Sequence, residues 1–117
     1  MGKISHKEKT FEQRLKESSE ILTKYPDRIC VYIEKTDKCK TLPELAKKKY
    51  LIPKNITAAQ FILIIRNKIE IAKESALIFY VNNSIMTGSA TMSVINDEHC
   101  APDGFLYIKY AGETCFG

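Results

Sequence analysis

Few side chains in this chain could carry covalent chemistry. There are four cysteines, Cys30, Cys39, Cys100 and Cys115, and two histidines, His6 and His99. No two cysteines stand in a CxxC pair and the histidines lack zinc-ligand spacing, so no metal site is expected. In a reducing compartment the thiols are expected to be free. Cys115 with His99 as its base is the sharpest catalytic reading, because a thiolate nucleophile needs such a neighbour. A cysteine in a short polar tail has no rigid partner to hold that geometry, so no catalytic residue is assigned. The same tail offers a different group. It closes on Gly117, which has no Cβ to hinder attack on its carbonyl carbon, and the Gly117 carboxylate is read as the working end of the molecule.

The remaining composition narrows the class. At 117 residues the chain is one domain by size. A net charge of +4 is mild, and without an RNA-binding aromatic motif or zinc-finger spacing it does not argue for nucleic acid. The longest apolar run, FILII at 61–65, is far short of the roughly 18 residues of a membrane span. The segment MGKISHKEKT has no apolar signal core, so a cytoplasmic protein is expected. His6 stands where myristoylation needs Ser or Thr, and Cys115 is not in a prenylation box. The sequons at Asn55 and Asn82 are therefore expected to carry no sugar.

Alternating and helical periods supply the elements that must position any site. Ser5-x-x-Glu8 and Thr10-x-x-Gln13 read as capping boxes. Phe11, Leu15, Leu22 and Tyr25 form a narrow stripe on a helix that Pro26 ends. In RICVYIE, Ile29, Val31 and Ile33 share one face and Cys30 and Tyr32 the other. KKKYLIP reads as a short edge strand, lysine-flanked and closed by Pro53. Thr57-x-x-Gln60 opens AAQFILIIRNKI, apolar on most of its circumference and so expected to be the buried central helix. ESALIFYV is a strand ended by Asn82-Asn83, TMSVINDEH a further helix, and Asp103-Gly104 a turn into the last strand, FLYIKY. This order gives an α+β, β-grasp (ubiquitin-like) fold: a four-stranded mixed sheet with an added N-terminal helical arm. The expected divisions are a helical extension at 1–26, a core at 27–110 and a flexible tail at 111–117.

Several motifs in order, FEQR at 11, YPDRICVYIEK at 25, KKKYLIPKNITAAQF at 47, FYVNN at 79 and DEHCAPDGFLYIKYAGETCFG at 97, closely resemble the ubiquitin-like autophagy modifiers, the GABARAP and light-chain family. The resemblance runs from about Phe11 to Gly117. It implies a protein that is not an enzyme but a substrate of conjugation. A processing and delipidating cysteine protease exposes the terminal glycine. ATP-dependent activating and conjugating enzymes carry it as a thioester to the amine of phosphatidylethanolamine, with Phe116 as their handle. No cofactor is implied beyond that covalent lipid. Two acyl chains per bond suffice for stable anchoring, so the protein would be cytoplasmic until lipidated and then bound to the autophagosome membrane.

The resemblance also implies capture of receptors bearing an aromatic-x-x-aliphatic motif, as a strand added to the sheet edge. The aromatic pocket would be lined by Glu17, Ile21, Cys30, Tyr32, Lys49, Leu51 and Phe105. The aliphatic pocket would be lined by Tyr50, Ile52, Pro53, Ile56, Phe61 and Ile64. Arg28, Lys47 and Lys48 would attract acidic residues flanking the motif. The sequence departs from the family pattern at Cys30, where proline is usual, at Ala72-Lys73 and Met86-Thr87, where paired prolines are common, and at Thr114-Cys115. Whether Gly117 is the end as made or a trimmed end stays open. The alternative function is a non-lipidated adaptor that binds the same peptides, or microtubules through Lys3, Lys7 and Lys9.

Overall fold

In the interior strand β1, Arg28–Lys35, alternation divides the side chains between two clusters. Ile29, Val31 and Ile33 enter the main core, while Cys30 and Tyr32 join Phe105 in a smaller cluster on the opposite face. A computed structural model describes residues 4–40, 42–71 and 75–112. Its elements are α1 (Phe11–Lys24), β1, β2 (Lys49–Pro53), α2 (Ala58–Arg66), β3 (Leu77–Val81), β4 (Ser84–Ile85), α3 (Met92–His99) and β5 (Phe105–Gly112), with a 3₁₀ turn at His6–Glu8 before them.

The sheet order is β2-β1-β5-β3-β4. β1 and β5 run parallel side by side, with Val31 opposite Leu106, and the other pairings are antiparallel. This is the expected β-grasp sheet with one correction: among the described residues it has five strands, not four. Asn82 and Asn83 both adopt positive φ (49° and 65°), the backbone of a tight two-residue hairpin turn. The chain therefore folds back so that Ser84–Ile85 pairs with the end of β3. β5 runs through Gly112, which pairs with Leu77, two residues past the expected boundary at Tyr110.

Two of the expected capping boxes form in full. Gln13 N–H donates to Thr10 Oγ1 at 3.1 Å and Thr10 N–H to Gln13 Oε1 at 2.8 Å. Thr57 and Gln60 repeat the pattern at 3.2 and 2.8 Å. The box expected at Ser5 does not form, because the segment is a 3₁₀ turn. There Ser5 Oγ donates to the Glu8 carboxylate at 2.9 Å instead.

The helices are less buried than their composition suggests. α2 buries Ala58, Phe61 and Ile65 against the sheet, but Leu63 is 59% and Ile64 40% exposed. A single sheet can cover one face of a helix only. In α1 the stripe of Phe11, Leu15 and Tyr25 is exposed too. That helix docks through Ser18, buried to 1% exposure, with its Oγ donating to the carbonyl of Asp103 at 2.7 Å. Arg14 Nε donates to the Asp103 carboxylate at 2.8 Å. Gly104, at φ +86°, makes this approach possible: a Cβ there would lie 2.2 Å from Ser18 Oγ.

Candidate functional site

α1 and the edge strand β2 enclose a groove with a pocket of about 230 Å³. The alternation of β2 sends Lys49 and Leu51 to the α1 side of the sheet, where Leu51 packs beside Cys30 and Phe105. β1 contributes Cys30, β5 contributes Phe105, and α1 contributes Glu17 and Ile21. Six of the seven residues expected in the aromatic pocket are thus brought together. Tyr32 is not among them. It is only 6% exposed, because His6 stacks on it with ring centroids 4.5 Å apart. Tyr25, Lys47 and Tyr50 line the pocket instead. Tyr50 was expected in the second pocket, and Tyr25 is the residue that caps the C-terminus of α1.

His6 was missed altogether in the sequence. It lies behind the pocket, 6% exposed, edge-on to Phe105 at 4.6 Å. The Tyr107 hydroxyl donates to the Asp103 carboxylate, so His6 Nε2–H donates to Tyr107 Oη, at 2.8 Å. Burial, reinforced by the positive charge of Lys49, lowers the His6 pKa to about 4. The imidazole is therefore neutral near pH 7 and belongs to the aromatic packing. Its only sequence signal is its place in a polar arm, which gives no hint of burial.

The mouth of the pocket is ionic. Lys49 Nζ lies 2.9 Å from Glu17 Oε2 and Lys9 Nζ 2.8 Å from Glu17 Oε1. Burial acts to raise the Glu17 pKa, but the hydrogen bonds from Lys9 and Lys49 outweigh it and hold the carboxyl below its ordinary value. Lys49 also stands 5.7 Å from the centre of the Phe105 ring, and Lys47 5.2 Å from that of Tyr50. On the wall, burial first and then the negative charge of Glu17 push the Cys30 thiol up to about 11. Cys30 is thus a small apolar surface and not a nucleophile.

The residues expected in the aliphatic pocket divide differently. Ile52 and Phe61 are core residues, 4% and 0% exposed. Tyr50 and Ile56 are half-buried against the core, Pro53 is half-buried beside them, and Ile64 stands open on α2. These four offer surface, and the two core residues lie beneath it. Of the expected acidic-flank contacts, Arg28 faces Asp27 at 3.9 Å, Lys47 is at the pocket, and Lys48 accepts the Ile33 N–H through its carbonyl at 2.8 Å. Phe116 and Gly117 lie outside the described residues.

The sequence and the fold both match known proteins along nearly the whole chain. The family model described as autophagy protein Atg8, ubiquitin like, matches residues 13–117. The chain belongs to the Atg8 family. It is 44% identical over 110 residues to autophagy-related protein 8 of Mycosarcoma maydis, covering 94% of this chain and 92% of that one. It is 43% identical over 118 residues to autophagy-related protein 8a of Arabidopsis thaliana, covering 100% and 96%. Among solved structures it superposes on Trypanosoma brucei ATG8 with a TM-score of 0.88 at 35% identity, covering 98% of this chain and 100% of that one. For Plasmodium falciparum Atg8 in complex with a Plasmodium falciparum Atg3 peptide, the TM-score is 0.83 at 30% identity, covering 95% and 96%.

As an Atg8-family protein the chain is a non-catalytic, ubiquitin-like modifier of autophagy. It is conjugated to phosphatidylethanolamine and recruits motif-bearing receptors, working in the cytoplasm and, once lipidated, on the autophagosome membrane. Its partners are the conjugation cascade and those receptors. Among the described residues no helix is long and apolar enough to cross a membrane.

Proposed function

We propose that the groove between α1 and β2 is the receptor site of this Atg8-family chain, and that Gly117 is the residue that receives the lipid. The observation that supports the groove is the apolar pocket of about 230 Å³ opening beside an edge strand. An incoming peptide adds as a strand along β2, its backbone N–H and C=O groups pairing with that edge. Its aromatic side chain fills the pocket over Cys30, Leu51 and Phe105. Its aliphatic side chain three residues on rests on Tyr50, Pro53, Ile56 and Ile64. Acidic residues before the motif are drawn to Arg28, Lys47 and Lys48. Glu17 leaves Lys49 free to turn outward when the peptide enters, because Lys9 keeps the carboxylate paired.

In the conjugation reaction the Gly117 carboxylate is activated at the expense of ATP and held as an enzyme thioester. The phosphatidylethanolamine amine attacks its carbonyl carbon, an amide forms and the enzyme thiol leaves. Phe116 is the side chain the enzymes hold, and a cysteine protease both exposes Gly117 and removes the lipid. The acyl chains then anchor the protein, each buried CH₂ contributing about 0.8 kcal/mol. Reconstitution with activating and conjugating enzymes, ATP and phosphatidylethanolamine vesicles tests this. The expected product gains the mass of one lipid at residue 117, and deleting Gly117 abolishes it while motif-peptide affinity stays unchanged. Membrane recruitment that survives the deletion would sink the assignment.

A further inference from the structure

Between Ile4 and Thr10 one side chain alone is buried. Ile4 is 51% exposed, Ser5, Lys7, Glu8 and Thr10 are exposed, and Lys9 is half-buried. His6 is enclosed by aromatic rings: stacked on Tyr32, edge-on to Phe105, and tilted against Tyr107 at 5.7 Å between centroids. Its Nε2–H is spent on Tyr107 Oη, and its Nδ1 is buried with no hydrogen-bond partner among the described residues. A neutral ring leaves only a lone pair there. A proton on Nδ1 would place a cation and an unmet N–H donor in an apolar enclosure, a state that burial strongly disfavours.

We propose that His6 is a proton-sensitive plug: when its imidazole takes up a proton, segment 4–8 leaves the sheet and the groove between α1 and β2 holds its peptide less tightly. The second half rests on the groove being the receptor site. Arg14 Nη1–H donates to the Lys9 carbonyl at 2.6 Å, so Lys9 stays against α1 and serves as the hinge. Release takes away the ring that braces Phe105 from behind, and Phe105 is a wall of the aromatic pocket.

The charged groups around the ring do not rescue the cation. Lys49 on β2 and Arg14 on α1 oppose it, while Glu17 on α1 and Asp103 before β5 favour it. Both carboxylates are already engaged, Glu17 by Lys9 and Lys49, Asp103 by Arg14 and Tyr107. On the ring's own segment Lys7 pairs with Glu34 of β1 at 2.9 Å, and Glu8 accepts from Ser5. Burial first, then Lys49, brings His6 down to about 4, against about 6.5 for an undocked arm. The undocked form therefore takes up protons first as pH falls, and docking weakens roughly thirtyfold between about pH 7.5 and about pH 5. Glu17 and Asp103 are both held below their ordinary values and stay ionised over that range.

Amide NMR relaxation on the full chain at these two pH values reads the nanosecond mobility of the segment. No reductant is added, because Cys39 is disulfide-bonded, which corrects the expectation that every thiol is free. The Ser5–Glu8 amides are expected to be as rigid as α1 at the higher pH and mobile at the lower, with the signals of Val31 and Leu106 unchanged. His6→Phe keeps a ring without the proton and should stay rigid at both; His6→Ala should be mobile at both. Calorimetry with a capped motif peptide free of Asp, Glu and His should show weaker binding at the lower pH for the natural chain, and no such loss for His6→Phe. A segment that is rigid at both pH values, mobile at both, or released in His6→Phe as well overturns the plug, and so does a rigid segment in His6→Ala. Core signals lost together with the arm overturn it too, because the arm is then not a separate unit. Release with unchanged peptide affinity overturns the coupling to the groove. A peptide that does not bind even at the higher pH overturns the receptor reading of the groove, and the relaxation data still decide the plug.

Discussion

Glu17 on α1 and Lys49 on β2 are joined across the mouth of the groove between those two elements, with Nζ 2.9 Å from Oε2. The pair ties the helical arm to the edge strand at the point where the proposed peptide would enter. Lys9 shares the same carboxylate, so the three side chains form one small network. A peptide that displaces Lys49 leaves Glu17 paired and strands no charge.

Leu51 is expected to contribute to binding more than to folding, since it is only half-buried beside Cys30 and Phe105. Leu51→Ala removes apolar surface that a ligand aromatic ring would cover, about 1.5 kcal/mol or roughly tenfold in affinity. Titration calorimetry with a motif peptide measures this, and the urea midpoint should move little. Equal affinity for both proteins would mean that the aromatic side chain docks elsewhere.

Salt should separate the charged contacts from the apolar ones. Screening shortens from about 10 Å at about 0.1 M to about 3 Å at about 1 M, so attraction between acidic flanking residues and Arg28, Lys47 and Lys48 fades over that range. A peptide with acidic flanks is expected to weaken as salt rises, mainly through slower association. Lys47→Ala with Lys48→Ala should flatten the dependence. An unchanged salt slope in the double variant would remove those lysines from the contact.

His6 makes stability depend on pH in a defined window. Burial and the nearby Lys49 charge, opposed by Glu17 and Asp103, lower its pKa from 6.5 to about 4. The unfolded chain therefore takes up a proton before the folded one does. Stability from this group is complete above about 6.5 and falls as pH drops from there toward about 4. His6→Phe should keep the ring packing on Tyr32 and reduce the slope of the urea midpoint over that range. An identical slope would show that the lost stability comes from other groups.

Gly104 holds α1 close to the sheet. Gly104→Ala places a methyl group 2.2 Å from Ser18 Oγ and keeps φ at +86°. The backbone alone costs about 1–3 kcal/mol, and the Ser18 bond to the Asp103 carbonyl must also open. Thermal unfolding should show a clear loss of stability, with weaker peptide binding because Glu17 and Ile21 move with the helix. Wild-type behaviour on both counts would contradict this close approach.

Some of this was legible in the residues themselves. The alternation of RICVYIE assigned Ile29, Val31 and Ile33 to one face and Cys30 to the other. Thr10-Gln13 and Thr57-Gln60 marked two helix starts. Asn82-Asn83 marked a turn, though not the two-residue strand that follows it. These features depend on neighbours within a few residues, where backbone geometry fixes direction. The resemblance then named six of the residues that line the pocket between α1 and β2.

What covers each face was decided in three dimensions. No local pattern shows that His6 lies on Tyr32 and removes it from the pocket, that α1 docks through Ser18 and Asp103 while Phe11 and Leu15 stay outside, or that Leu63 and Ile64 remain open. Nor does cysteine spacing place Cys39 under Gly112, 73 residues away. Periodicity determines which side chains point the same way, because that is a property of one helix or strand. Burial, pairing and charge are set by the element that arrives opposite, and only the folded chain brings it there.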